Sequence, residues 1–472
     1  MKALLIRLTA IVALAVFPLE SSGAGRISPL PFQDPFIYEE NGIFYMYGSD
    51  DGGIGVLVSD DLEHWYVPDG KEHWTVFPGA DSLGNGEPLN PSVESSGNEY
   101  TLYVSSDGDK GIKAVSHSPL GPFTDAVATD RKQPARRASF RVTRCGKLKI
   151  SGRPAIDAHV CRDDAEGFYA NPVRKASSAD PTVLEGPDGY FYLTHTETHG
   201  RLSLKRSKDL VKWEDRSDIF YPGKRPSFVT KGSIWAPDLN RIGNRFVVYY
   251  SMSTWGGIHE AGIGRGIADT LEGNWKDLGK LFISKEIGVT NSIDPFFISD
   301  GGGNYLFWGS FHGIYCIGLN ADGTGIADGA HPIRIAGNAY EGTYILKKGA
   351  YYYLFASTGS CCEGMRSTYT TVVGRSTALT GPYVDRSGRP MLENHHETVL
   401  SGNGEFAGPG HNAEIVTDND GSTWMLYHSY WGQMPFDGRM LMLDRILWDE
   451  QEWPYIKSGG KPSFVSRKPR FN

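Results

Sequence analysis

Polar and apolar positions along the chain fall into a recurring unit. An acidic residue or Pro opens it, an apolar strand follows, a Gly-, Asn- or Asp-bearing turn interrupts it, and a Tyr/Phe-rich strand closes it. The unit reads DPFIYEENGIFYMYGS from Asp34, PSVESSGNEYTLYVSS from Pro91 and DAHVCRDDAEGFYA from Asp157. It returns as DPTVLEGPDGYFYLTHT from Asp180, PDLNRIGNRFVVYYSMS from Pro237 and DPFFISDGGGNYLFWGS from Asp294. Two more copies are EGTYILKKGAYYYLFAS from Glu341 and NAEIVTDNDGSTWMLYHS from Asn412. β-Branched and aromatic runs around such a turn predict a β-hairpin in each copy.

The spacing of the copies predicts the architecture. From Asp180 the starts lie 57, 57, 47 and 71 residues apart, close to the ~40–50 residues of a four-stranded propeller blade plus loops. The expectation is an all-β chain whose residues 176–457 form a five-bladed β-propeller. A β-sandwich would show short, evenly spaced strands instead. The starts at 34, 91 and 157 are spaced 57 and 66, but only 23 residues separate 157 from 180. Residues 28–175 are therefore expected to be an additional, incomplete propeller-like module, with 458–472 as a C-terminal tail. The stretch 129–150 is rich in Arg and Lys and carries little strand pattern.

Residues 1–24 differ in kind. Lys2 and Arg7 flank a short apolar run to Phe17, and small residues follow to Gly25. That is the pattern of a secretion signal, and the run is too short to span a bilayer. The chain is expected to be secreted or periplasmic, with no membrane insertion after signal cleavage. With 47 basic and 55 acidic side chains the net charge is −8, which gives no support to a nucleic-acid partner. The five cysteines show no zinc spacing. An odd number leaves at least one unpaired, Cys145–Cys161 is a candidate bridge, and adjacent Cys361 and Cys362 would close only a strained ring.

In a propeller the innermost strands converge on one mouth. Three copies open on a carboxylate there, Asp180, Asp294 and Glu341, and Pro181 and Pro295 suit a strand's first residues. An Asp-Pro pair alone marks a strand start; three acids on three blades mark a site. Glycoside hydrolysis needs one protonated and one ionised carboxyl, and a third acid nearby raises its neighbour's pKa. No GxSxG, P-loop, HExxH or dinucleotide-binding glycine pattern competes.

From about Ser178 to Tyr455 the chain resembles the family 43 glycoside hydrolases, most of all the secreted endo-1,5-α-L-arabinanases. The stretches that carry the resemblance are ADPTV, SIWAPDL, NSIDPFFI, EGTYILKKGAYYYLFAS, CCEGMRSTYTTVVGRS, TGPYVD and GPGHNAE. The resemblance implies inverting hydrolysis of α-1,5-linked L-arabinofuranose chains. Asp180 is implied as general base, Glu341 as general acid and Asp294 as modulator of the acid's pKa. It places Trp235 and Phe311 as substrate-stacking aromatics, and His411 beside a metal in the channel, usually Ca2+, with no organic cofactor. Arg439 and Arg445 read as sugar contacts or, more readily, as structural salt bridges. The family's His before the base is Ala179 here, with the nearby His195 and His199 as candidate substitutes. Asp34 and Asp157 mimic the base and modulator, but no EGTY counterpart follows them, so the N-terminal copy is expected to be inactive. An exo-acting α-L-arabinofuranosidase or β-xylosidase is the alternative, and a catalytically dead carbohydrate-binding propeller a weaker one.

Overall fold

The computed structural model describes residues 32–50, several segments between 53 and 160, and then 167–457 and 459–471. The expected signal and both Cys145 and Cys161 lie outside the described residues. The described chain is all-β apart from single helical turns.

Between 167 and 457, where every residue is described, five antiparallel sheets follow one another. The first runs Thr182–Glu185, Phe191–Thr194, Leu202–Ser207 and Glu214–Phe220; the second runs Ser233–Ile242, Arg245–Ser253, Gly262–Ala268 and Lys276–Ile283. The third begins with Phe296–Asp300 and Gly303–Trp308, the fourth with Glu341–Lys348 and Tyr351–Thr358. The fifth is built on Phe406–Gly410, Thr423–Trp431 and Met440–Trp448. The first two strands of the first four sheets are the hairpins of the repeat. The fifth adds a strand, Phe406–Gly410, ahead of the repeat that starts at Asn412.

One device recurs where these sheets meet. Asp180, Ala236, Asp294 and His411 are non-glycine residues with positive φ, between 39° and 60°, a conformation most side chains resist. Each kink is held by a side chain reaching from the preceding sheet to its backbone N–H. His428 Nδ1 accepts from Asp180, Thr196 Oγ1 from Ala236, Ser251 Oγ from Asp294 and Ser357 Oγ from His411, at 2.8–3.0 Å. In the fourth sheet the kinked residue is Gly342, whose N–H donates to Asp294 Oδ2 at 3.3 Å. Sheet thus contacts sheet in sequence, and the fifth returns to the first through His428 and through Glu414, which accepts from Thr182 Oγ1 at 2.9 Å.

Ahead of this ring stand two further four-stranded antiparallel sheets. One is Gln33–Glu40, Ile43–Asp50, Gly53–Ser59 and Thr75–Pro78; the other is Leu89–Ser96, Glu99–Ser105, Gly111–Ser116 and Thr124–Thr129. Their shared core includes Tyr47, Val56, Leu102 and Ile112, and it continues onto Phe168, Ala170 and Val465. The last is decisive for the C-terminus. Val465–Arg467 pairs antiparallel with Phe168–Ala170, so the stretch expected to be a tail contains a structural strand. The stretch rich in Arg and Lys includes two short strands, Phe140–Val142 and Lys147–Ile150, which pair with each other.

Candidate active site

The three carboxylates expected to work together do share one cleft of about 450 Å³, within the usual ~300–1,000 Å³ of ligand pockets. Asp180, Asp294, Glu341, Trp235, Phe311 and His411 all line it. Asp180, Asp294 and Glu341 are buried, while Trp235, Phe311 and His411 are half-buried. The left-handed kinks put Asp180 and Asp294 there, each at the entry to its sheet's first strand.

Asp180 is held by Arg439 and Thr196, with two histidines beside it. Arg439 Nη1 donates to Oδ1 at 2.7 Å and Nη2 to Oδ2 at 3.4 Å, while Thr196 Oγ1 donates to Oδ2 at 2.5 Å. The Nδ1 atoms of His411 and His428 each lie 3.3 Å from Oδ1. Burial pushes the carboxyl up, but Arg439 foremost, with the hydrogen bond from Thr196, outweighs it and holds Asp180 well below the usual carboxylate range. His428 accepts the Asp180 N–H at Nδ1, which requires a neutral ring, and burial together with Arg439 keeps it neutral.

Glu341 and Asp294 behave oppositely. Burial raises Glu341, partly opposed by hydrogen bonds from Ser310 Oγ at 2.6 Å and Tyr369 Oη at 2.7 Å, and the Asp180 charge raises it further. Burial, then Glu341, then Asp180 raise Asp294 well above its ordinary value. The cleft therefore holds one carboxylate kept ionised beside two kept prone to carry a proton. Tyr369 also stacks on His428, with ring centroids 5.7 Å apart and an interplanar angle of 4°. A Cβ on Gly410 would come within 2.3 Å of the Tyr369 ring, so glycine there lets Tyr369 pack in place.

Burial lowers His411, which favours the neutral, ligating imidazole. A Cβ on Gly342 would press on His411 Cγ and Nδ1 at 3.0 Å. Thr343 Oγ1 and Asn412 Oδ1, each one residue from that contact, are buried oxygens without a hydrogen-bond partner. Among the described residues no three His, Cys, Asp or Glu side chains are grouped to hold a metal. Of His411, Thr343 and Asn412, His411 is the one that lines the cleft, with Asp180 Oδ1 3.3 Å from its Nδ1.

Several residues stand apart from the sequence expectations. Arg439 forms the expected structural salt bridge, and its partner is Asp180 itself. Arg445 is exposed and lies outside the cleft. His195 does not replace the missing histidine, because it is buried, bonded at Nδ1 to the Thr196 carbonyl and absent from the cleft lining, with its pKa lowered to about 3 by burial. His199 is exposed and likewise absent from that lining. Thr196, Ser310, Tyr369 and His428 were not anticipated, nor was Trp255, which is 81% exposed with its ring 5.7 Å from Trp235. Cys361 and Cys362, whose bridge was expected to be only a strained ring, are disulfide-bonded and line the cleft. Cys316 is free and buried. The side chains of Asp34 and Asp157 fall outside the described residues.

The family model for glycosyl hydrolases family 43 matches residues 169–454. The chain belongs to that family. Among curated proteins it is 32% identical over 61% of its length to the extracellular exo-α-(1→5)-L-arabinofuranosidase ArbA of Cellvibrio japonicus, covering 89% of that protein. It is 31% identical over 60% of its length to an extracellular endo-α-(1→5)-L-arabinanase of Bacillus subtilis, covering 87% of it. Among solved structures, the α-L-arabinanase of Cellvibrio cellulosa complexed with arabinohexaose superposes with a TM-score of 0.55 at 31% identity. That match covers 59% of this chain and 95% of the other. This family 43 chain is a glycoside hydrolase by descent.

Proposed function

We propose that the chain is an inverting glycoside hydrolase that cleaves α-1,5-linked L-arabinofuranose chains, an endo-1,5-α-L-arabinanase. The observation that carries the reading is the pairing in one cleft of Asp180, held well below the usual carboxylate range, with Glu341, raised above it by burial. Asp180 takes a proton from the attacking water. Glu341 gives its proton to the leaving glycosidic oxygen, and the acetal carbon passes through an oxocarbenium-like state while water attacks the opposite face. The Asp180 charge and burial keep the Glu341 pKa up, and Asp294, raised in turn by burial and by Glu341, accepts the Gly342 N–H at the floor of the cleft. Trp235 and Phe311 offer apolar faces to the sugar rings.

The five sheets are read as blades of a β-propeller with the cleft at its central mouth, residues 176–457 being the catalytic unit. The two sheets before them are read as an incomplete module without an acid. A calcium ion suits the His411 wall: the neutral imidazole, Asn412 Oδ1, Thr343 Oγ1 and water would hold it, since hard cations take neutral oxygens as well as carboxylates. Bound there, it would add positive charge next to Asp180. The leader at 1–24 and the extracellular relatives support export, and no helix among the described residues is long and apolar enough to cross a membrane.

An exo-acting enzyme is the second reading, favoured by the likeness to the Cellvibrio japonicus exo-arabinofuranosidase. Product analysis on debranched linear arabinan, with Glu341→Ala as control, separates them. A ladder of arabino-oligosaccharides absent in the variant supports the endo reading, and arabinose alone moves it to exo. No product from arabinan, xylan or aryl-glycosides refutes the hydrolase.

A further inference from the structure

Two neighbouring cysteines close a disulfide on the wall of the catalytic cleft, their Cα atoms 3.8 Å apart. A bridge that closes the shortest loop a chain can make removes almost no entropy from the unfolded state, because that effect grows with loop length. Global stability is therefore a poor reason for it. Its position gives a better one. The bridge follows strand Tyr351–Thr358, whose Ser357 is the cross-strand partner of Glu341. Its segment is pinned at the base: Ser360 N donates to Thr368 Oγ1 at 3.1 Å, Thr368 N to Ser360 Oγ at 3.2 Å, and Tyr369 N to Ser360 O at 3.1 Å. Cys361 is half-buried and Cys362 exposed, so the bridge offers a surface to whatever occupies the cleft.

Two free thiols would present rotating groups and weak donors. A closed ring presents a fixed, polarisable, apolar face, and a contact surface already rigid before binding loses little entropy when ligand arrives. That suits the C–H face of a sugar. The Trp235–Trp255 pair stands on the second sheet and the bridge on the fourth, the sheet that carries Glu341. An acid that protonates the leaving oxygen stands on the leaving group's side of the scissile bond.

We infer that the Cys361–Cys362 ring is a binding platform for the sugar on the leaving-group side of the bond being cut, which rests on the role given to Glu341 above. The ring needs an oxidising compartment to persist, in keeping with export.

The test is kinetics of wild type and Cys361→Ala/Cys362→Ala on linear arabinan, each with and without tris(2-carboxyethyl)phosphine. Uncovering about 55 Å² of apolar contact corresponds to a KM about tenfold higher, with kcat held within about twofold and the pH profile unmoved. Reductant should bring wild type to the variant's KM and leave the variant unchanged, which controls for bridges elsewhere and still decides the matter if the variant folds poorly. An unchanged KM in an active enzyme overturns the platform. So does a loss in kcat with a displaced alkaline limb, which would make the ring a brace for Tyr369 and Glu341. A wild type inactive on arabinan overturns the reading of the site and the platform with it.

Discussion

Replacing Arg439 by Met should move the acid limb of the pH–activity profile. Arg439 Nη1 lies 2.7 Å from Asp180 Oδ1, and the two side chains are only 15% and 11% exposed, so solvent screens the pair little. At an effective dielectric of about 20, unit charges about 4 Å apart attract by roughly 4 kcal/mol, or about 3 pH units. The sign follows from the base's need to be ionised. Arg439 lowers the Asp180 pKa and keeps the base competent in acid; without it, burial dominates and the pKa climbs. The acid limb of kcat/KM against pH should rise by about 3 units, whereas Arg439→Lys, which keeps the charge but loses the fork, should shift it by less than about 1 unit. Breaking a buried pair also costs about 3–5 kcal/mol of stability, so unfolding must be followed at each pH. An acid limb that stays in place while activity falls equally at all pH values would refute the argument that Arg439 sets the state of Asp180.

Glu341→Gln should lower kcat on arabinan by about 10²–10⁴, the usual share of a general acid, with the fold unchanged by circular dichroism. Tyr369→Phe removes a hydrogen bond that favours the ionised carboxylate, so the alkaline limb should move up by about 1 unit; movement down would contradict the assignment. Inversion at an α-linkage requires the β-anomer as first product, which proton NMR in the first minutes of reaction resolves; initial α-anomer would rule out single displacement. Asp444 is raised to about 7 by burial, so the native state holds a proton there that the unfolded chain releases near pH 4. Stability should therefore fall as pH rises from about 4 to about 7, and Asp444→Asn should flatten part of that slope in denaturant titrations.

Most sheets were legible because their hairpins declare themselves locally, by alternation and by a turn; the copy from Asp157 does not form one, since His159–Val160 pairs with His64–Trp65 and Phe168–Ala170 with Val465–Arg467. The three acids were legible because each occupies the same place in a repeat whose strands converge. What holds the acids was not. His428 meets Asp180 across 248 residues and Arg439 meets it across 259; nothing local marks a polar residue in a strand as facing a neighbour sheet. Tyr369 stood in the quoted run CCEGMRSTYTTVVGRS, yet only packing under the GPGH turn reveals its reach to Glu341. The adjacent cysteines read only as a strained ring, because nothing in the sequence shows that the two line the cleft as a closed bridge. The C-terminal strand escaped notice because SFVSR is too short to carry a period, and its partner lies nearly three hundred residues earlier.

That strand pair has a consequence for engineering. Because Phe168–Ala170 runs alongside Val465–Arg467, the segments that lead into and out of the five sheets meet at one seam, a strand's width, about 5 Å, apart. A unit with adjoining ends can be joined head to tail by a short linker and reopened elsewhere. The turn at Gly301–Gly302, between two paired strands on the third sheet, offers one such place. The seam is also where the front sheets add their core to the ring. Modules can therefore be exchanged at that point without opening any of the five sheets that build the cleft.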